Sequence, residues 1–392
     1  MYPVDDRCRW SRGAFVLITR SNFVNVYLDP ILYVLAAISV TLALRTVALP
    51  LETQNPDFVI FWDQLHWEAA GHDLYTAPPR WDGQGPNLAP PALLLLIAPL
   101  IRLPLTVAWA AWMLISVALF AMIAYWVARA VDQPAGRILS ILLISPATVM
   151  AIAVGSFAAP IAACATRAWV DQRCDRDVSA GFWIGAAMAC KPFLLPFVGY
   201  AVVRQRWRMC VGISSGIVAV IILGVAVFGL ANTAMWVRTL AGVQPTTTAF
   251  PLNGSWMGWL ARIVADPIAL RAWWLGGGAV IGALLLWRWS RRDSDVDADW
   301  LGTLSGSLLA SPLGWAYYAP LLVGPFAGHR SALRWIGYAL VSVPLRVVAS
   351  DFSPVWTVSG GSAYFWGFLV LFMATQSPQS SGMTARTDDR TA

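Results

Sequence analysis

Leu105-Thr-Val-Ala-Trp-Ala-Ala-Trp-Met-Leu-Ile-Ser-Val-Ala-Leu-Phe-Ala-Met-Ile-Ala-Tyr-Trp-Val-Ala128 contains no Asp, Glu, Lys or Arg. A run that long and that apolar matches the length of a helix crossing a bilayer. Further apolar runs lie on both sides: Pro30–Leu49, Leu88–Ile101, Ile138–Val154, Phe157–Val170, Ala180–Val203, Met209–Leu230, Ile268–Trp287, Trp300–Ala310, Trp315–Gly328, Leu333–Ala349 and Gly361–Ala374. With the first they make about twelve spans, or ten if neighbours merge. Spans below about 17 residues are expected to be tilted, re-entrant or buried among other helices. The expected fold class is therefore an all-α polytopic membrane protein, one domain over residues 1–374 with a disordered polar tail at 375–392.

Composition excludes the main soluble classes. Of 392 residues, 58% are hydrophobic and 12% charged, beyond the apolar usage of globular domains. The net charge of +6 comes from arginines at loop ends, with no basic and aromatic stretch on a polar face, so no nucleic-acid partner is expected. The five cysteines form no CxxC pair and the histidines no ligand spacing, so no metal or disulfide framework is expected. Arg7, Arg9, Arg12 and Arg20 precede the first span without a cleavage signature, so that span is expected to remain as an anchor. The same arginines, with those at 204–208 and 288–292, mark a cytoplasmic side. Residues 51–90 and 231–267 then fall outside. In this count Arg129, Arg137, Arg173 and Arg176 also fall outside, against the charge rule.

The loop from Leu51 to Pro90 concentrates acid: Glu52, Asp57, Asp63, Glu68, Asp73 and Asp82 against Arg80 alone, with His66 and His72 among them. Titratable groups gathered at a membrane edge point to chemistry there. Phe58, Phe61, Trp62, Leu65 and Ala69 recur at helical spacing and Gly71 is placed to stop the turn, so an interfacial helix is expected from Asp57 to Ala70. Asp57, following Pro56, has two readings: an N-cap carboxylate, or a fixed general base.

Asp57 after the first span, the aromatic helix, Gly71-His-Asp-Leu-Tyr75, and Asn87-Leu-Ala-Pro-Pro91 together resemble the polyprenyl-phosphate-mannose-dependent mannosyltransferases of GT-C fold, the family of the phosphatidylinositol-mannoside mannosyltransferases. Gly155-Ser156, Ala187-Met-Ala-Cys-Lys-Pro192, Asn253-Gly-Ser255 and Ser311-Pro-Leu-Gly-Trp-Ala-Tyr-Tyr318 extend the resemblance over most of the chain. Ser156 stands where relatives tend to have Gln, and Tyr318 where many have His. The resemblance implies a GT-C-like bundle and a membrane glycosyltransferase without a cofactor. It would move mannose from a polyprenyl-phosphate sugar donor to a glycolipid or glycan acceptor at the external face of the cell membrane, with inversion. It implies Asp57 as general base, with Tyr75, Asn87, Asn253, Tyr317 and Tyr318 near substrate.

Lys191 is the one lysine of the chain and falls within the Ala180–Val203 run. A charge there costs about 2.5–3.5 kcal/mol on insertion scales, so it needs a polar cavity or an acid. It reads either as a ligand for a lipid phosphate or as a structural cation on carbonyls freed by Pro192. Arg346 is a second phosphate candidate, a snorkelling interface arginine being the alternative. Two rival functions stay open: a transporter or flippase of lipid-linked sugars, which would show repeated halves, and a non-catalytic relative of the enzyme.

Overall fold

The computed structural model describes residues 30, 33–42, 45, 56–80, 87–241, 249–291, 295–348 and 353–376. The side chains of Ala241, Leu345, Arg346 and Pro354 lie outside that description, as do Glu52, Trp81, Asp82, the arginines before residue 30 and the tail beyond Gln376.

The principal helices are α1 (Asp57–Ala69), α2 (Leu105–Val131), α3 (Ala135–Ile144), α4 (Pro146–Ala153), α5 (Ala158–Arg173), α6 (Asp177–Cys190), α7 (Pro196–Val203), α8 (Trp207–Ala241), α9 (Pro267–Ser290), α10 (Val296–Ala310), α11 (Leu333–Val341) and α12 (Ala363–Ala374). Among the described residues strand-like pairing is confined to one antiparallel bridge, Asn253 with Trp315. The chain is an all-α polytopic membrane protein.

Four stretches are long and apolar enough to cross a bilayer: Leu105–Val131, Trp207–Leu240, Pro267–Ser290 and Val355–Ala374. A fifth is added if α3 and α4, bent by 75° across Ser145, count as one. The shorter expected spans are pieces of helix. Pro146 and Pro192 lack the N–H that would continue the preceding helix, and both sit at breaks. The helix expected to end at Leu230 instead runs on to Ala241 past a kink at Gly229, whose φ of 79° is left-handed.

Leu88–Ile101 does not cross. Pro91–Leu94 is one helical turn and Ala98–Arg102 a 3-10 turn, interrupted by Pro99 and followed by Pro104. The Leu88 carbonyl accepts from Trp236 Nε1, on the last turns of α8. Ala92 lies deeper, where a Cβ on Gly224 would stand 3.3 Å from its nitrogen. The chain then returns to start α2 at the end where it began, because Trp109 and Trp112 donate to the Ala153 and Gly155 carbonyls beside α1.

That single re-entrant segment changes every later crossing, and it removes the charge conflict. Arg173 pairs with Asp297 at 2.5 Å, Arg206 with Asp177 at 2.8 Å, and Asp299 receives Arg204 at 2.6 Å and Arg288 at 3.0 Å. Arg167 lies over Trp126 one turn before Arg129. Arginines 129, 167, 173, 204, 206 and 288 thus share one end of the bundle, contrary to the expected separation.

Asp297 and Asp299 open α10, a helix buried along almost its whole length. Buried carboxylates survive only when paired, so the arginines fasten α5, α7 and α9 to α10. Thr375 and Gln376, expected in a loose tail, are buried instead, and Arg288 donates to the Thr375 carbonyl.

Candidate active site

The opposite end of the bundle carries the candidate chemistry. α1 buries Phe58, Val59, Phe61, Gln64 and Leu65, and Gly71, at φ 89°, ends the chain's helical path as its position implied. The cap of α1 is Pro56, so Asp57 occupies the first helical position rather than the N-cap. Its carboxylate forms no hydrogen bond among the described residues, which removes the capping role considered above. The backbone beside it is held firmly. Phe58 N donates to Val154 O at 3.0 Å. Gly155 adopts φ 67°, and a Cβ on it would stand 2.6 Å from Phe58 Cβ. Only glycine accepts both that conformation and that approach. Ser156, in the place of the expected Gln, is buried and accepts from Ala158 N at 3.3 Å, opening α5.

Lys191 is not mid-helix. It is the extended residue between α6 and the turn Pro192–Leu194, with φ −141° and ψ 96°. Its ammonium couples electrostatically to Tyr318 and to Asp57. The Nζ lies 5.7 Å from the Tyr318 ring centroid. No hydrogen bond from Nζ to a helix carbonyl is present among the described residues. Tyr317 and Tyr318 lead the 3-10 helix Ala316–Leu322, their ring centroids 4.9 Å apart, and Tyr317 also couples to Asp57. Four of the expected residues, Asp57, Lys191, Tyr317 and Tyr318, therefore converge from three separate segments. Burial pushes the Asp57 carboxyl up to about 6, while the Lys191 charge pulls it the other way. A carboxylate so placed titrates near neutrality, where a general base works best.

Tyr75, Asn87 and Asn253 are engaged internally. Tyr75 Oη donates to Ala89 O at 2.7 Å. Asn87 accepts from Ala89 N at 2.7 Å and donates to Gln64 Oε1, which ties the returning loop to α1. Asn253, fully buried, donates to Pro312 O at 2.9 Å and accepts from Gly314 N at 2.9 Å. It thereby sets the backbone that delivers Trp315, Tyr317 and Tyr318. Arg262, which sequence reasoning passed over, binds the Asn253 carbonyl at 2.7 Å and Ser362 Oγ at 2.6 Å. Arg346 belongs to the turn Leu345–Val348, its side chain lying outside the description.

Fold and site together define a multi-pass membrane protein with a carboxylate, an ammonium and two phenols gathered at one end. Residues 88–312 match the model of glycosyltransferase family 87. The match covers more than half of the chain, which belongs to that family and is a membrane glycosyltransferase. No curated protein and no solved structure matches it. Lys191 and Asn253 lie within the matched segment; Asp57, Tyr317 and Tyr318 lie outside it.

Proposed function

We propose that this glycosyltransferase moves a hexose, mannose in the first instance, from a polyprenyl-phosphate donor to a lipid-linked or cell-envelope glycan on the external face of the cell membrane. The observation that carries the reading is the convergence of Asp57 with Lys191, Tyr317 and Tyr318. A base and a phosphate-binding cation brought together at one end of the bundle suit a single displacement. Asp57 takes the proton of the acceptor hydroxyl as its oxygen attacks the anomeric carbon. The bond from that carbon to the phosphate oxygen breaks, inverting the centre, and the lipid phosphate leaves with its charge on Lys191 and the Tyr318 hydroxyl. Tyr318 thus does by hydrogen bonding what it cannot do as a base, a phenol titrating near 10. Tyr75, Asn87 and Asn253 contribute by shaping the loops around the acceptor and donor, and Arg346 remains the second phosphate candidate.

The donor class is tested with purified full-length protein in nanodiscs. Label is expected to pass from polyprenyl-phosphate mannose to an extracted envelope glycolipid, and not from a nucleotide sugar. Transfer from the nucleotide sugar alone would refute the donor assignment. The external face rests on the arginines at the far end. In a chain freed of its own cysteines, His72→Cys, on the exposed turn after α1, is expected to react with an impermeant reagent in intact cells. Reaction only after lysis would place the site inside.

A further inference from the structure

We infer that Trp315 is the platform on which a sugar ring stacks during transfer, an inference that rests on the function proposed above. The indole is held by a rigid backbone: residue 315 bridges to Asn253, Ala316 N donates to Leu252 O at 2.8 Å, and Gly254 N donates to Gly314 O at 2.8 Å. It is partly exposed and stands parallel to Tyr317, with centroids 5.9 Å apart and planes at 12°. Tyr317 in turn faces Asp57 and Tyr318. Phe250, half exposed, stands at 65° to the indole with centroids 6.3 Å apart.

The indole N–H separates Trp315 from six other tryptophans of the described residues. Trp109, Trp112, Trp236, Trp256, Trp259 and Trp274 each spend theirs on a backbone carbonyl. Trp315 Nε1 forms no hydrogen bond among the described residues. A partly exposed indole whose N–H is bonded to none of the described residues matches a pyranose, which offers C–H bonds on its face and hydroxyls at its edge. A tryptophan fixed by its backbone also loses little conformational entropy on binding. The sugar belongs either to the donor or to the acceptor, and two measurements separate these sources.

The full-length protein in nanodiscs is titrated with polyprenyl-phosphate mannose and with bare polyprenyl phosphate. Trp315→Ala is expected to weaken the glycosylated lipid by at least about tenfold, the scale of a lost aromatic anchor, and to leave the bare phosphate unaffected. Lys191→Ala should weaken both. If the stacked ring is the acceptor's, donor binding stays intact and the acceptor KM rises by the same factor. Trp315→Phe, which keeps the π face, should recover most of the loss. Trp315→Leu replaces the alanine variant if that does not fold. Unchanged donor affinity and unchanged acceptor KM would overturn the platform, as would equal weakening of both lipids, the mark of a disturbed scaffold. A wild-type protein that binds neither lipid defeats the functional reading itself, and the platform with it.

Discussion

Asp57→Asn is expected to lower turnover with a polyprenyl-phosphate sugar by at least about 10², the usual scale of a lost general base and about 2.7 kcal/mol of barrier. The amide keeps the shape of the side chain but cannot take the acceptor's proton. Because Pro56 is the cap of α1 and the Asp57 carboxylate bonds to none of the described residues, folding should be nearly untouched. Expression level and thermal melting in detergent check that half of the expectation. Asp63→Asn makes a suitable control, since Asp63 pairs with Arg80 away from the converging groups. Wild-type turnover by Asp57→Asn would remove the residue from the mechanism, and a large fall in melting temperature would reinstate a structural role.

Lys191→Ala is expected to raise the donor KM by roughly 10- to 100-fold, the range of a charge-assisted hydrogen bond worth about 1.5–3 kcal/mol, and to leave the acceptor KM largely unchanged. The ammonium lies 5.7 Å from the Tyr318 ring centroid and couples electrostatically to Asp57, where a phosphate leaving group would need it. Lys191→Arg should recover only part of the loss, since a planar guanidinium presents its donors in a different geometry. Steady-state kinetics with each substrate varied in turn distinguish the outcomes. Equal rises in both constants would indicate that the break at Lys191–Pro192 has been deformed.

Much of this was legible from local pattern. The apolar spacing of Phe58, Phe61 and Leu65 and the stop at Gly71 describe α1 almost to the residue. The 24 uncharged residues beginning at Leu105 form the core of α2. The path of the chain between such elements was less accessible, because an apolar run has the same composition whether it crosses the bilayer or turns back. Pro90, Pro91, Pro99 and Pro104 were the available sign that Leu88–Ile101 returns. Weighing them would have moved Arg173 and Arg176 to the arginine end at once. Asp297 and Asp299 carried a second sign, since two acids opening an apolar helix require buried cations from elsewhere.

In the site, residue type pointed to Asp57, Lys191, Tyr317 and Tyr318, and the fold brings these four near one another. Their chemistry is uncommon in an apolar chain, and burying it needs partners. Tyr75, Asn87 and Asn253 look equally ligand-like in sequence, yet a buried amide or phenol must be paired, and the fold pairs Tyr75 and Asn253 with backbone carbonyls and Asn87 with Ala89 N and Gln64. Trp315 lay within the 311–318 segment that carries the resemblance, but nothing in the sequence marked its ring as a binding surface. Its fixed position emerges only once the Asn253 bridge is formed.

Whether Asp57 is the base and shares one active centre with Lys191 is decided by the pH dependence of kcat/KM in the wild type and in Lys191→Ala. Burial raises the Asp57 carboxyl to about 6 against the opposing pull of the lysine. The base works only when deprotonated, so wild-type activity should fall as the pH drops through about 6. Removing the positive charge at 191 disfavours the carboxylate further, so the acid limb of Lys191→Ala should lie at higher pH than that of the wild type. A limb that stays in place when Lys191 is removed, or a wild-type profile flat between about pH 5 and 7, would contradict the account.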